Sequence, residues 1–129
     1  MNILKPTTAL FILLLTASGL VRALDIQPYT ASALQQAQAA GKPVAVHFHA
    51  DWCSTCKAQE RAFNAMKDDP ALKGVALLVA NYDAERDLKK ATNVRSQSVI
   101  VVFKGDKETA RLGGETQPDK LKTALLTAR

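Results

Sequence analysis

Apolar residues gather in three short unbroken runs, and the stretches between them are mixed, which sets the expected order of elements. Residues 44–50 (VAVHFHA), 75–82 (VALLVANY) and 99–104 (VIVVFK) are strand formers in runs too short for helices, so each is expected as a buried strand. Residues 24–29 alternate enough for one further short strand. Residues 31–40, rich in alanine and glutamine, are expected as a helix capped by Thr30 and ended by Gly41 ahead of Pro43. A second helix is expected from just after Cys53 to about Met66, where Asp68-Asp69-Pro70 breaks it. Residues 84–92 read as a charged helix ending near Asn93. Gly105-Asp106 reads as the turn to a hairpin partner over residues 108–112, released by Gly113-Gly114. A last helix over residues 118–128 carries Leu121, Leu125 and Leu126 on one face, with Thr116 and Asp119 as a capping box. The order β-α-β-α-β-α-β-β-α predicts an α/β fold with a mixed central sheet and helices on both faces.

Residues 1–23 read differently, as a secretory signal peptide. Lys5 supplies a positive start, residues 9–20 are almost wholly apolar, and Val21-Arg22-Ala23 offers small residues at the two positions a signal peptidase inspects. The apolar run is about a dozen residues, short of the roughly 20 a bilayer needs, so no anchor is expected after cleavage. The expected product is one exported, periplasmic domain over residues 24–129, and it reads as a monomer.

Composition narrows the function. Of 129 residues, 47% are hydrophobic and 22% charged, which fits a folded chain and excludes a disordered one. Net charge is +5, but Lys5 and Arg22 lie in the leader, so the remaining excess is mild. Without aromatic and basic residues clustered together, no nucleic-acid partner is expected. The two cysteines, Cys53 and Cys56, are separated by only two residues. A bridge across so short a loop restrains the unfolded chain very little, so it is a poor staple. Two thiols also fall short of a closed four-ligand zinc site. The spacing suits a dithiol that opens and closes, with no cofactor beyond that redox-active disulfide.

A Cys-x-x-Cys pair placed after a buried strand and opening a helix resembles the redox motif of the thioredoxin family. VHFHADWCSTCK is similar to that family's strand-to-motif segment, LLVANYD to its next strand, and NVRSQSVIVVFKGDKETARLGG to its closing hairpin. The stretch GKPVAVHFHADWCSTCKAQERAF most resembles the C-terminal periplasmic domain of the transmembrane thiol-disulfide reductase that carries electrons across the bacterial inner membrane. The resemblance implies a thioredoxin fold and a thiol-disulfide oxidoreductase acting on protein thiols and disulfides, or relaying electrons from a membrane-embedded donor. Cys53, at a helix start, is then expected to be the attacking thiolate, with Lys57 adding positive potential. Cys56, one turn deeper, is expected to resolve the mixed disulfide. Trp52 is expected either to flank the site and face substrate or to be an ordinary core aromatic. Hydroxyls at Ser54 and Thr55 are placed to donate to the Cys53 thiolate.

Two departures from the family pattern stand out. The family usually carries a cis-proline facing the dithiol, and here Ser98 takes its place, with no proline between Pro70 and Pro118. A serine would cost roughly 2.5–4 kcal/mol to hold cis, so a trans peptide is expected, with the Ser98 hydroxyl toward the sulfurs. The second departure is His47, where the family often has a buried acid. It reads either as a proton acceptor for Cys56 or as a buried neutral imidazole with its hydrogen bonds satisfied. His49 is read on the opposite face of the strand from His47, and His49 and Asp51 read either as lying near the site mouth or as plain surface residues. An alternative from another class is a binding module in which Cys53 and Cys56, with a nearby histidine, hold copper(I) or dock a partner without turnover.

Overall fold

The computed structural model describes residues 23–129, so the leader expected over residues 1–23 lies outside the described residues except for Ala23. Five strands form one sheet: β1 (Leu24–Pro28), β2 (Pro43–His49), β3 (Val75–Asn81), β4 (Val99–Lys104) and β5 (Lys107–Gly113). Their spatial order is β1-β3-β2-β4-β5. β3 runs parallel to both β1 and β2, while β4 pairs antiparallel with β2 and with β5, so the sheet is mixed as expected. Four helices, α1 (Ala31–Ala39), α2 (Ser54–Ala65), α3 (Arg86–Thr92) and α4 (Pro118–Leu126), cover it, with one 3₁₀ turn at Pro70–Leu72. Among the described residues, no helix is long and apolar enough to cross a membrane.

The alternation of strand side chains sorts the core into two layers. Val44, Val46 and Phe48 of β2 and Val99, Val101 and Phe103 of β4 pack with Leu34 of α1 and Leu88 of α3. Ala45, Ile100 and Val102 point the other way, onto Phe63 of α2, Met66 at its C-cap, and Leu121 and Leu125 of α4. Both faces of the central strands are therefore buried, which is why their sequences are continuous apolar runs. The face holding Ala45 also holds His47 and His49, two and four residues on, and it is the face α2 covers.

Element ends follow local chemistry. The Thr30 hydroxyl accepts from the Ala33 amide at 3.0 Å and caps α1. Thr30→Ala is expected to lower stability by about 1 kcal/mol, read from a urea melt with an unchanged slope. Asn93 ends α3 in the left-handed conformation (φ 55°), and Gly105 takes φ 59° in the hairpin turn. The capping box expected at α4 does not form. Gln117 is the N-cap residue and makes no side-chain cap bond. The Glu115 carboxylate instead accepts from the Thr116 and Gln117 amides at 3.0 and 2.9 Å. Glu115 thus binds the amides leading into the helix, and α4 starts one residue later than a Thr116 cap requires.

Candidate active site

β2 ends at His49, the chain turns through Asp51 and Trp52, and α2 starts at Ser54, so the Cys-x-x-Cys pair falls where the C-terminal end of the central strand meets a helix N-terminus. Cys53 is itself the N-cap of α2, its sulfur accepting from the Cys56 amide at 3.3 Å. Both thiols are free and buried, Cys53 6% exposed and Cys56 fully covered. Ala50 and Tyr82 pack around them.

The structure holds no cis peptide among the described residues, and Ser98 adopts a positive φ of 63°. That conformation turns its hydroxyl onto both sulfurs, 3.2 Å from Cys53 Sγ and 3.0 Å from Cys56 Sγ. A hydroxyl has one proton and two lone pairs, so Ser98 can donate to one sulfur while accepting from the other. The Ser98 main chain is held too. Its N–H donates to the Phe48 carbonyl at 2.9 Å, and its carbonyl accepts from the Gly114 amide and the Gln59 side chain, each at 2.9 Å.

The two thiols are pushed apart electrostatically. The Ser98 hydrogen bond is the main influence holding the Cys53 pKa down, from 9.0 to about 7, helped by the Cys56 thiol and the Cys56 and Thr55 amides. Burial pushes Cys56 up instead. The hydroxyl donor to Cys53 is thus Ser98, not Ser54 or Thr55; neither of those side chains reaches a sulfur among the described hydrogen bonds. Lys57 is exposed, and its ammonium makes no ion pair or hydrogen bond among the described contacts.

His47 is buried, 1% exposed, edge-on to the Phe63 ring. Its Nε2 lies 2.9 Å from Gln59 Oε1, and burial holds its pKa down at about 4. His49 lies on the same face, the two rings 5.4 Å apart between centroids. The opposite-face placement expected for it is wrong, because residues two apart on a strand share a face. His49 Nε2 pairs with Asp51 Oδ1 at 3.1 Å, which puts both near the site mouth. Trp52 is 63% exposed and donates to Asp83 Oδ2 at 2.8 Å, so it is no core aromatic.

Gln59 is the residue the sequence reading missed. Fully buried, it accepts from His47 and donates to the carbonyls of Ser98 and Glu115, each at 2.9 Å. It ties α2 to the loop that carries Ser98. Its signal was its place on α2, three residues past Cys56, on the face that already buries Cys56 and Phe63.

Comparison with known proteins agrees with this geometry. A family model described as Thioredoxin matches residues 26–127. Among curated relatives, the thiol:disulfide interchange protein DsbD of Cronobacter sakazakii is 42% identical over 72 residues, 52% of this chain and 12% of that protein. DsbD of Ralstonia nicotianae is 34% identical over 108 residues, 75% of this chain and 18% of that protein. The chain thus spans less than a fifth of those relatives. Among solved structures, Trxlp from Edwardsiella tarda is 35% identical with a TM-score of 0.75, covering 78% of this chain and 98% of that one.

Proposed function

The chain belongs to the thioredoxin family of thiol-disulfide oxidoreductases, and from that premise we propose an exported, periplasmic enzyme in which Cys53 attacks and Cys56 resolves. The observation that carries the assignment is the shared Ser98 hydroxyl, with Cys53 lowered to about 7 and Cys56 raised. At neutral pH about half of Cys53 is then thiolate, against about 1% for a thiol at 9.0. Cys53 Sγ attacks one sulfur of a protein disulfide, and the leaving thiolate takes a proton from solvent. Cys56 then gives up its proton and attacks Cys53 Sγ, releasing the second substrate thiolate and leaving the Cys53–Cys56 disulfide. Ser98 accepts from the Cys56 thiol while that thiol waits and donates to Cys53 when Cys53 is anionic.

Stabilising the Cys53 thiolate stabilises the reduced protein, which raises the dithiol's reduction potential. The substrate is a protein disulfide or a redox partner, and similarity to DsbD supports a relay with a membrane-embedded electron donor. Trp52, exposed and anchored by Asp83, offers the flat apolar surface such a partner needs. His47 serves in this reading as a neutral strut that sets Gln59 and, through it, the Ser98 carbonyl.

The test is the pH dependence of alkylation of the reduced, chelator-treated protein. Only the thiolate reacts, so the Cys53 rate should rise with pH and reach half its plateau near 7. Cys56 should stay unlabelled across that range. Equal labelling of the two thiols, or a Cys53 midpoint near 9, would overturn the assignment of roles.

A further inference from the structure

Beside the two sulfurs lies a set of donors that disulfide exchange leaves unused. One ligand atom from each of His47, His49 and Cys56 lies within 4.8 Å of the other two. Each imidazole already has one nitrogen committed to an acceptor. The Gln59 amide nitrogen is occupied by the Ser98 and Glu115 carbonyls, so its oxygen faces His47 and accepts from Nε2–H. The Asp51 carboxylate, an acceptor only, does the same for His49 Nε2. In both rings the nitrogen left over is therefore Nδ1. At His49 that atom is buried and has no hydrogen-bond partner, the one buried side-chain nitrogen or oxygen so left among the described residues. Folded proteins rarely leave such an acceptor unsatisfied without a use for it.

We propose that His47, His49 and Cys56 form a binding site for a borderline-soft d¹⁰ cation, Zn(II) or Cu(I), held by two imidazole nitrogens and one thiolate. The donor set selects the ion: imidazole and thiolate suit zinc and copper, while magnesium and calcium want oxygen ligands. The second layer is already built. An amide oxygen behind one histidine and a carboxylate behind the other fix ring orientation and tautomer, as metal-binding histidines require. Binding exchanges the Cys56 S–H bond for a metal–sulfur bond and releases one proton to solvent. Three donors leave a fourth position open to water or a further ligand. Entry is from the His49 side, where that residue walls a cavity of about 440 Å³ together with Trp52 and the carboxylates of Asp51 and Asp83. This chelate differs from the alternative of Cys53 and Cys56 holding copper(I) with one nearby histidine, since it takes two histidines and Cys53 is not among its ligands.

One consequence rests on the resolving role of Cys56: with its sulfur on the metal, a mixed disulfide at Cys53 goes unresolved, and the ion switches exchange off. The binding itself is read without any exchange assay. Reduced protein is titrated with Zn(II) against a chromophoric indicator and with Cu(I) against a colorimetric chelator, and Co(II) serves as a spectroscopic stand-in. One equivalent should bind, and Co(II) should show tetrahedral d–d bands with thiolate-to-metal charge transfer. His49→Phe and Cys56→Ser should each weaken binding at least about tenfold, while Cys53→Ser should bind close to wild type. His49→Gln, which keeps a polar side chain at the rim, repeats the test should the phenylalanine variant fold poorly. Binding that survives both His49 substitutions but is lost in Cys53→Ser would identify a plain dithiol chelate and overturn the site. Failure to bind any of the three ions would overturn it as well.

Discussion

Cys56→Ser is expected to accumulate covalent mixed disulfides with protein partners, and Cys53→Ser is expected to form none. The asymmetry follows from where α2 puts each sulfur. Cys53 is the N-cap residue, its Sγ receiving the Cys56 amide at 3.3 Å and the Ser98 hydroxyl at 3.2 Å, and both donors favour the anion. Cys56 is fully covered and its thiol is pushed up by burial, so it reacts only with a sulfur already brought to it. Removing Cys56 leaves attack intact and blocks release. Removing Cys53 abolishes attack. Non-reducing gels of the affinity-purified variants, followed by mass spectrometry of the trapped species, read the difference. Reduction of insulin should fall to the uncatalysed background in both variants. Equal trapping by the two variants, or trapping by Cys53→Ser alone, would reverse the roles.

What was legible in advance was local or periodic. Thr30, the three apolar runs and the Gly105-Asp106 turn each state their structure in a few neighbouring residues, and the fold follows from their order. Ser98 was legible as well, because a serine that replaces a proline at a known place in the pattern constrains the backbone: no cis bond, and a hydroxyl directed at the sulfurs. The rest depends on contacts between residues far apart in sequence. Gln59 looks like one more polar residue on an amphipathic helix until the Ser98 and Glu115 carbonyls arrive, 39 and 56 residues later. Asp83 becomes the partner of Trp52 across 31 residues. The hydroxyl serving Cys53 comes from the opposite loop and not from Ser54 or Thr55 within the motif. The placement of His49 failed for a different reason. A two-residue spacing keeps His47 and His49 on one face of β2, and that face brings both imidazoles to Cys56.

Substitutions at Ser98 should separate what its side chain does from what its backbone does. Ser98→Ala removes the main donor to Cys53 and keeps the left-handed φ of 63°, so the alkylation midpoint should move up from about 7. Ser98→Gly removes the same hydroxyl and should move the midpoint equally. Glycine, however, pays no steric cost at positive φ, so it should be about 1 kcal/mol more stable than alanine there. Ser98→Pro is the severe case. Proline holds φ near about −65° and has no N–H, so it cannot adopt the observed backbone. It also forfeits the 2.9 Å bond to the Phe48 carbonyl, which then lies buried without that donor. The loop must rebuild, at a cost on the order of 3 kcal/mol. The proline that resemblance to the family makes attractive is thus excluded by the backbone this chain has adopted in its place. Urea midpoints of the reduced variants should rank glycine above alanine above proline, while the alkylation midpoints of glycine and alanine coincide. A proline variant as stable as the serine protein would mean that the Phe48 bond does not hold the loop. Glycine and alanine midpoints that stayed near 7 would mean that the helix amides, rather than the Ser98 hydroxyl, set the acidity of Cys53.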